Sequence, residues 1–130
     1  MQKDERYFYR IENSNGVGPY RSAPPCMNNP VWMLGNHGKH GDNIHPPIVD
    51  EVCADDLTRS FARHGVKLRD CKFGFTSLSQ LQRWFAPGEI KKLMELGYRI
   101  KRVLGKSVIN TSTQSLFIPR KYYRFKKYRV

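Results

Sequence analysis

Tyr7-Phe8-Tyr9-Arg10-Ile11-Glu12 sets Tyr7, Tyr9 and Ile11 on one side of an extended chain and Phe8, Arg10 and Glu12 on the other. A period of two is the signature of a strand in a sheet. Directly after it, Asn13-Ser14-Asn15-Gly16 supplies residues that tolerate positive φ, and Gly18-Pro19 punctuates the chain again, so a hairpin or a wide turn follows the strand. The far end of the sequence has the same extended character. Tyr98 to Leu104, Ser115 to Ile118 and Tyr122 to Tyr128 read as strands, with Pro119 marking an edge or bend.

Between these ends the periodicity becomes helical. From Asp50 to His64, Cys53, Leu57 and Phe61 recur every four residues with Ala54 and Ala62 beside them, which predicts a buried helical stripe that Gly65 terminates. A strand is predicted at Lys72 to Phe75. Ser77, followed three residues later by Gln80, is a capping-box pattern that opens a helix carrying Leu78, Leu81 and Phe85 inward. Pro87 starts a second helix with Ile90, Leu93 and Met94 on one face, and Gly97 stands where a left-handed cap would stop it. Residues Ser22 to Pro47 hold five of the eight prolines and almost no periodicity, which predicts a long Pro/Gly/Asn-rich loop with one helical turn near Val31 to Leu34. Strands at both ends with helices between them predict an α+β fold: a mixed, mainly antiparallel sheet covered by two or three short helices, in a single domain spanning residues 1–130.

Composition agrees with a folded chain. At 130 residues, 39% hydrophobic and 26% charged, the sequence suits one domain with one core rather than disorder. Its start, Met1-Gln2-Lys3-Asp4-Glu5-Arg6, is charged where a signal peptide would be apolar, and no apolar run approaches the ~20 residues that span a bilayer. A cytoplasmic protein without a membrane partner is the expectation, in the host cytoplasm if the protein is viral. Three cysteines, Cys26, Cys53 and Cys71, make an odd set without Cys-x-x-Cys spacing, so buried reduced thiols are expected rather than a disulfide framework. His37, His40 and His45 share a Gly-rich loop with Asp42, but the spacing fits no common zinc signature, and no metal site is assigned. Nor is there a Walker loop, a dinucleotide fingerprint or a Ser, His and Asp set at motif spacing.

Charge is the strongest functional signal. From Gly97 to Val130 there are ten Lys or Arg residues and no Asp or Glu, so this quarter supplies most of the formal net charge of +12. A field polarised in this way concentrates polyanions. In the tail, Arg120, Lys121, Arg124, Lys126 and Lys127 interleave with rings, and Tyr122 and Tyr128 stand among them, a pattern suited to neutralising phosphates while stacking bases. The expected partner is nucleic acid, RNA or single-stranded DNA above duplex, without a cofactor. An acidic host protein is the alternative partner for the same surface. Cationic edge strands also deter sheet-to-sheet aggregation, which is the structural alternative.

One resemblance spans most of the chain. Tyr9-Arg10 on an early strand, Phe75-Thr76-Ser77-Leu78-Ser79 in the middle and Thr113-Gln114-Ser115-Leu116-Phe117-Ile118-Pro119 on a late strand follow the order of the arginine, serine and glutamate strands of ADP-ribosyltransferase-like domains, which this chain resembles. The resemblance implies an NAD-cleaving scaffold in which Arg10 would hold the dinucleotide phosphate and Ser77 would order the nicotinamide pocket. Gln114 would occupy the place of the catalytic glutamate, and Ser112 that of a second acidic residue or glutamine. Gln cannot supply the negative charge that stabilises an oxocarbenium-like transition state, so the resemblance implies a binder of NAD or ADP-ribose or a weakened catalyst. In size and charge the chain also resembles the small basic accessory proteins of bacteriophages.

Overall fold

The structure, a computed structural model, describes residues 5–20, 44–120 and 125–127. Among the described residues, five strands and four α-helices follow one another as β1 (Glu5–Glu12), α1 (Ile48–Glu51), α2 (Ala54–His64), β2 (Lys72–Gly74), α3 (Leu78–Trp84), α4 (Pro87–Glu95), β3 (Arg99–Asn110), β4 (Ser115–Pro119) and β5 (Phe125–Lys127), with a 3-10 turn at Leu68–Asp70 before β2. This is the α+β fold. All strand pairings are antiparallel, in the order β1-β3-β4-β2, and β5 pairs with β3.

β3 organises the sheet. One edge of it pairs with β1 from Arg99 to Lys106; the other pairs with β4 from Gly105 to Asn110, and with β5 from Lys101 to Val103. Beyond β2 the chain returns to β1. Tyr9 and Phe75 exchange two backbone hydrogen bonds of 2.7 and 2.8 Å, so the sheet curls round and meets itself. The curl explains why both faces of the alternating β1 are buried.

On the concave side, Phe8, Val103 and Phe117 form a small core, with the rings of Phe8 and Phe117 stacked 4.2 Å apart. Two glycines make that stack fit. A Cβ on Gly105 would lie 2.5 Å from the Phe117 ring and 2.8 Å from the Ile118 carbonyl, and one on Gly74 would lie 2.9 Å from the same ring. On the convex side, Ile11, Phe75 and Ile100 pack against Leu81, Trp84 and Phe85 from α3 and its end, and against Ile90 and Leu93 from α4. Burial of this larger cluster, at roughly 25 cal/mol per Å² of apolar surface, is the main term favouring the fold.

Local signals do what they promise. Ser77 Oγ accepts a hydrogen bond from Gln80 N at 3.1 Å, capping α3, and Pro87 opens α4. Gly16, Gly65 and Gly97 have φ of 78°, 64° and 93°, at the three turns where the sequence calls for such freedom.

Several expectations are corrected. The helix predicted over Asp50 to His64 is two helices, because Val52 and Cys53 are both extended with ψ of 132° and 152°. Its stripe is shallower than predicted: Leu57 and Phe61 are half-buried and Cys53 is exposed. The thiols of Cys53 and Cys71 are free, and neither is buried. The strand predicted to end at Leu104 runs to Asn110; of the two outcomes predicted after β1, the wide turn is the one found, since the partner of β1 is β3. The predicted helical turn near Val31 to Leu34, most of the loop from 22 to 47, and Cys26, His37, His40 and Asp42 lie outside the described residues.

Candidate functional site

β3 carries Arg99, Lys101, Arg102 and Lys106, and the β5 register sets more positive charge against it. Lys127 stands opposite Lys101, and Lys126 opposite Arg102. Residues opposite one another in an antiparallel pair are neighbours in the ladder, so the backbone register brings two basic positions of β5 to two of β3. On the convex side the Arg102 guanidinium lies over the ring of Tyr7, 3.9 Å from its centroid. Arg120, at the exit from β4, is partly neutralised: its Nη1 lies 3.2 Å from Glu5 Oε2, and its backbone N–H donates to the Leu104 carbonyl at 3.3 Å. Lys121, Tyr122, Arg124 and Tyr128 lie outside the described residues.

The concave side supplies a second cationic feature that sequence reading passes over. Glu12 is wholly inaccessible to solvent, and Arg10 Nε donates to its Oε2 at 2.7 Å. Lys72 Nζ lies 3.6 Å from the same oxygen, and Lys101 Nζ lies 3.5 Å from Oε1. Thus β1, β2 and β3 each aim a cation at one carboxylate, at the end of the curl next to the turn after β1. Backbone carbonyls fix the cations further, Phe73 O holding Arg10 Nη1 at 2.7 Å and Asn13 O holding Lys101 Nζ at 2.9 Å. The turn is itself ordered by Asn13, whose Oδ1 accepts from Asn15 N and Val17 N at 2.9 and 3.0 Å. Burial, and then the positive charge of Arg10, pull the Lys72 ammonium below its ordinary range, Lys101 adding to the shift and Glu12 opposing it. The one signal of this cluster in the sequence is Arg10 and Glu12 two apart on a strand, hence on one face.

The three residues suggested by the ADP-ribosyltransferase resemblance each have partners of their own. Arg10 faces the concave side, whereas Ser77 caps a helix of the convex layer. Gln114 is buried, and its Nε2 donates to Pro46 O at 2.8 Å and to Glu51 Oε1 at 2.7 Å. Glu51, the last residue of α1, gathers Gln114 with the hydroxyls of Thr111 and Thr113, and so fixes the turn between β3 and β4. Gln80 links that turn to the Ser77 end of α3, donating from Nε2 to Ser112 O at 2.9 Å.

A cavity of about 180 Å³ lies beside this turn, lined by Ile44, Gln80, Arg83, Trp84, Ser112 and Thr113. Trp84 is tied into the fold there: its Nε1–H donates to Tyr20 Oη at 2.6 Å, and the His45 ring meets it edge-on at 5.0 Å. Among the described residues no group of three or more His, Cys, Asp or Glu is placed to hold a metal ion. Nor is any described helix long and apolar enough to cross a membrane.

A small α+β domain with a curled antiparallel sheet and a strongly basic edge is the class that fold and charge define. The family model described as Bacteriophage T4 Y00F protein matches residues 1–130, and the chain belongs to that family of phage proteins. No curated protein and no solved structure matches it.

Proposed function

We propose that this phage protein binds nucleic acid through its C-terminal basic segment, with Arg120, Lys121, Arg124, Lys126 and Lys127 contacting phosphates. The observation that carries the proposal is the like-charge register, Lys127 opposite Lys101 and Lys126 opposite Arg102. That register ties the basic C-terminal segment to a strand that is itself rich in Lys and Arg, which concentrates positive charge at one edge of the fold. The absence of any acidic residue from Gly97 to Val130 supports the reading, because the chain segment offers no competing counter-charge of its own. Tyr122 and Tyr128 in the tail favour single-stranded RNA or DNA, whose exposed bases stack on rings.

The test is fluorescence anisotropy with labelled single-stranded RNA, single-stranded DNA and duplex as salt is raised, comparing the wild type with a variant carrying Lys121→Gln, Arg124→Gln, Lys126→Gln and Lys127→Gln. For four phosphate contacts on a single strand, a fourfold rise in salt weakens binding about fiftyfold, and the variant flattens most of that dependence. Lack of binding at low salt, or a variant with unchanged affinity, overturns the proposal.

An acidic host protein remains the alternative occupant of the same surface. Partners that survive nuclease treatment of a lysate would favour it. An NAD-binding reading through Arg10, Ser77 and Gln114 is the further alternative; calorimetry with NAD and with ADP-ribose tests it directly.

A further inference from the structure

β5 joins β3 near its start, and the cavity of about 180 Å³ lies beside the turn that follows its end. Sites that enclose a whole small molecule run to roughly 300–1,000 Å³, so a space of this size suits a single ring projecting from a larger ligand. Gln80, Arg83 and Trp84 stand at positions i, i+3 and i+4 along α3, and so share one face of that helix. Ser112 and Thr113 reach the cavity from the turn, and Ile44 from the stretch before α1.

The walls are fixed, and most of their polar groups are already engaged. Gln80 Oε1 accepts from the backbone N and the hydroxyl of Thr76 at 2.9 and 3.0 Å, and Gln80 Nε2 donates to Ser112 O at 2.9 Å. Thr113 Oγ1 donates to Glu51 Oε2, and Trp84 Nε1–H donates to Tyr20 Oη at 2.6 Å. The remaining surface is chiefly the Ile44 side chain and the Trp84 indole. Arg83 differs from its neighbours: it is exposed, and among the described residues it has neither a hydrogen bond nor an ion pair. A solvated arginine is ordinary on a helix. One that lines an apolar, ring-sized cavity beside an indole is placed to take an anionic group attached to a ring.

We propose that this cavity receives one base of a single strand held by the C-terminal segment, with the base against Ile44 and the Trp84 indole and its phosphate on the Arg83 guanidinium. The inference rests on the nucleic-acid reading for the strand and adds a contact at the far end of β3. The ligand chemistry is a nucleotide, in a strand or free. A guanidinium matches phosphate oxygens with two parallel N–H donors, and every base offers a π-face to an indole. Because the Gln80 amide is spent on Thr76 and Ser112, the cavity accepts a base by shape and stacking and does not select one sequence.

The experiment follows the Trp84 Nε1–H and Arg83 Nε–H signals of the unaltered protein by NMR during titration with adenylate, with uridylate, with ribose phosphate as the probe lacking a base, and with single-stranded RNA. Binding of labelled RNA is measured in parallel for wild type, Arg83→Gln and the four-site tail variant. Expected are saturable shifts of both signals with either nucleotide, and of the Arg83 signal alone with ribose phosphate. Arg83→Gln should bind RNA about three to ten times more weakly, with a salt dependence shallower by about one phosphate contact. A Trp84 signal unmoved by nucleotide and by RNA overturns the cavity, as do equal Trp84 shifts with ribose phosphate; the nucleic-acid reading then stands if the tail variant still binds weakly. Normal RNA binding by Arg83→Gln overturns the role given to Arg83. Nucleotide shifts without any RNA binding at low salt keep the cavity, assign it to free nucleotide, and reject the nucleic-acid reading instead. If Arg83→Gln does not fold, the titrations of the unaltered protein decide by themselves.

Discussion

The two ends of the space inside the curled sheet are built on opposite terms. At one, Phe8 lies flat on Phe117 in a slot that Gly74 and Gly105 leave open; at the other, Arg10, Lys72 and Lys101 surround Glu12. Both ends are closed to water at their centres, Phe8, Phe117 and Glu12 each having no accessible surface. Equal burial does not mean equal contribution. Removing apolar surface from water favours folding directly, whereas a buried ion cluster repays its desolvation only through geometry, and often no better than an apolar replacement would. The apolar end therefore holds the sheet closed, and the charged end fixes how β1, β2 and β3 meet.

The sharpest way to break this contrast is Phe117→Ala. Deleting a fully buried aromatic costs about 3–5 kcal/mol, and here it also removes the ring against which Phe8 stacks. Urea unfolding should show a loss of that order with an unchanged slope, and a loss below about 1 kcal/mol would mean that the two glycines do not frame a packed slot. Gly105→Ala comes next. Overpacking of this kind costs about 1–3 kcal/mol, occasionally more, and the added methyl meets the Ile118 carbonyl as well as a movable ring. Combining it with Phe117→Leu should recover part of the loss by equilibrium unfolding, but not all of it, because the backbone carbonyl stays in place. Full recovery would show that the ring alone sets the glycine requirement.

Those glycines also mark where sequence reading stops. The alternation from Tyr7 to Glu12, the Ser77 cap, Pro87 at the start of α4 and the turns at Gly65 and Gly97 are local chemistry, and each is visible in a window of a few residues. Gly105 reads locally as the end of a strand, because glycine weakens strands; its actual role, close approach to Phe117, comes from β4, whose register no window contains. The meeting of Tyr9 with Phe75 is likewise tertiary, so a closed curl reads in sequence as an ordinary sheet. The helix break at Val52 and Cys53 has no proline or glycine to announce it. Of the cationic mouth, only Arg10 and Glu12 are near each other in sequence; Lys72 and Lys101 arrive on other strands. The basic C-terminal segment is legible as composition, and its pairing across β3 is not.

The smallest expected effect separates the two ends by pH. Packing of Phe8 on Phe117 involves no titrating group, so its contribution is flat. The charged end carries two neighbours with opposite slopes. Burial, and then the negative charge of Asp70, push the Cys71 thiol from 9.0 up to about 11, so between those values the folded chain holds more protons than the unfolded one, and stability falls as pH rises through that window. Lys72 is shifted the other way, below its ordinary 10.5; between its folded value and 10.5 the unfolded chain holds more protons, and stability rises with pH. Urea midpoints measured across this alkaline range should therefore lose their falling component in Cys71→Ala and their rising component in Lys72→Met, while Phe117→Leu displaces the whole curve without reshaping it. A Phe117→Leu curve of altered shape would mean that the apolar stack and the ion cluster are coupled through the strands they share, and that the interior of the sheet is one unit rather than two.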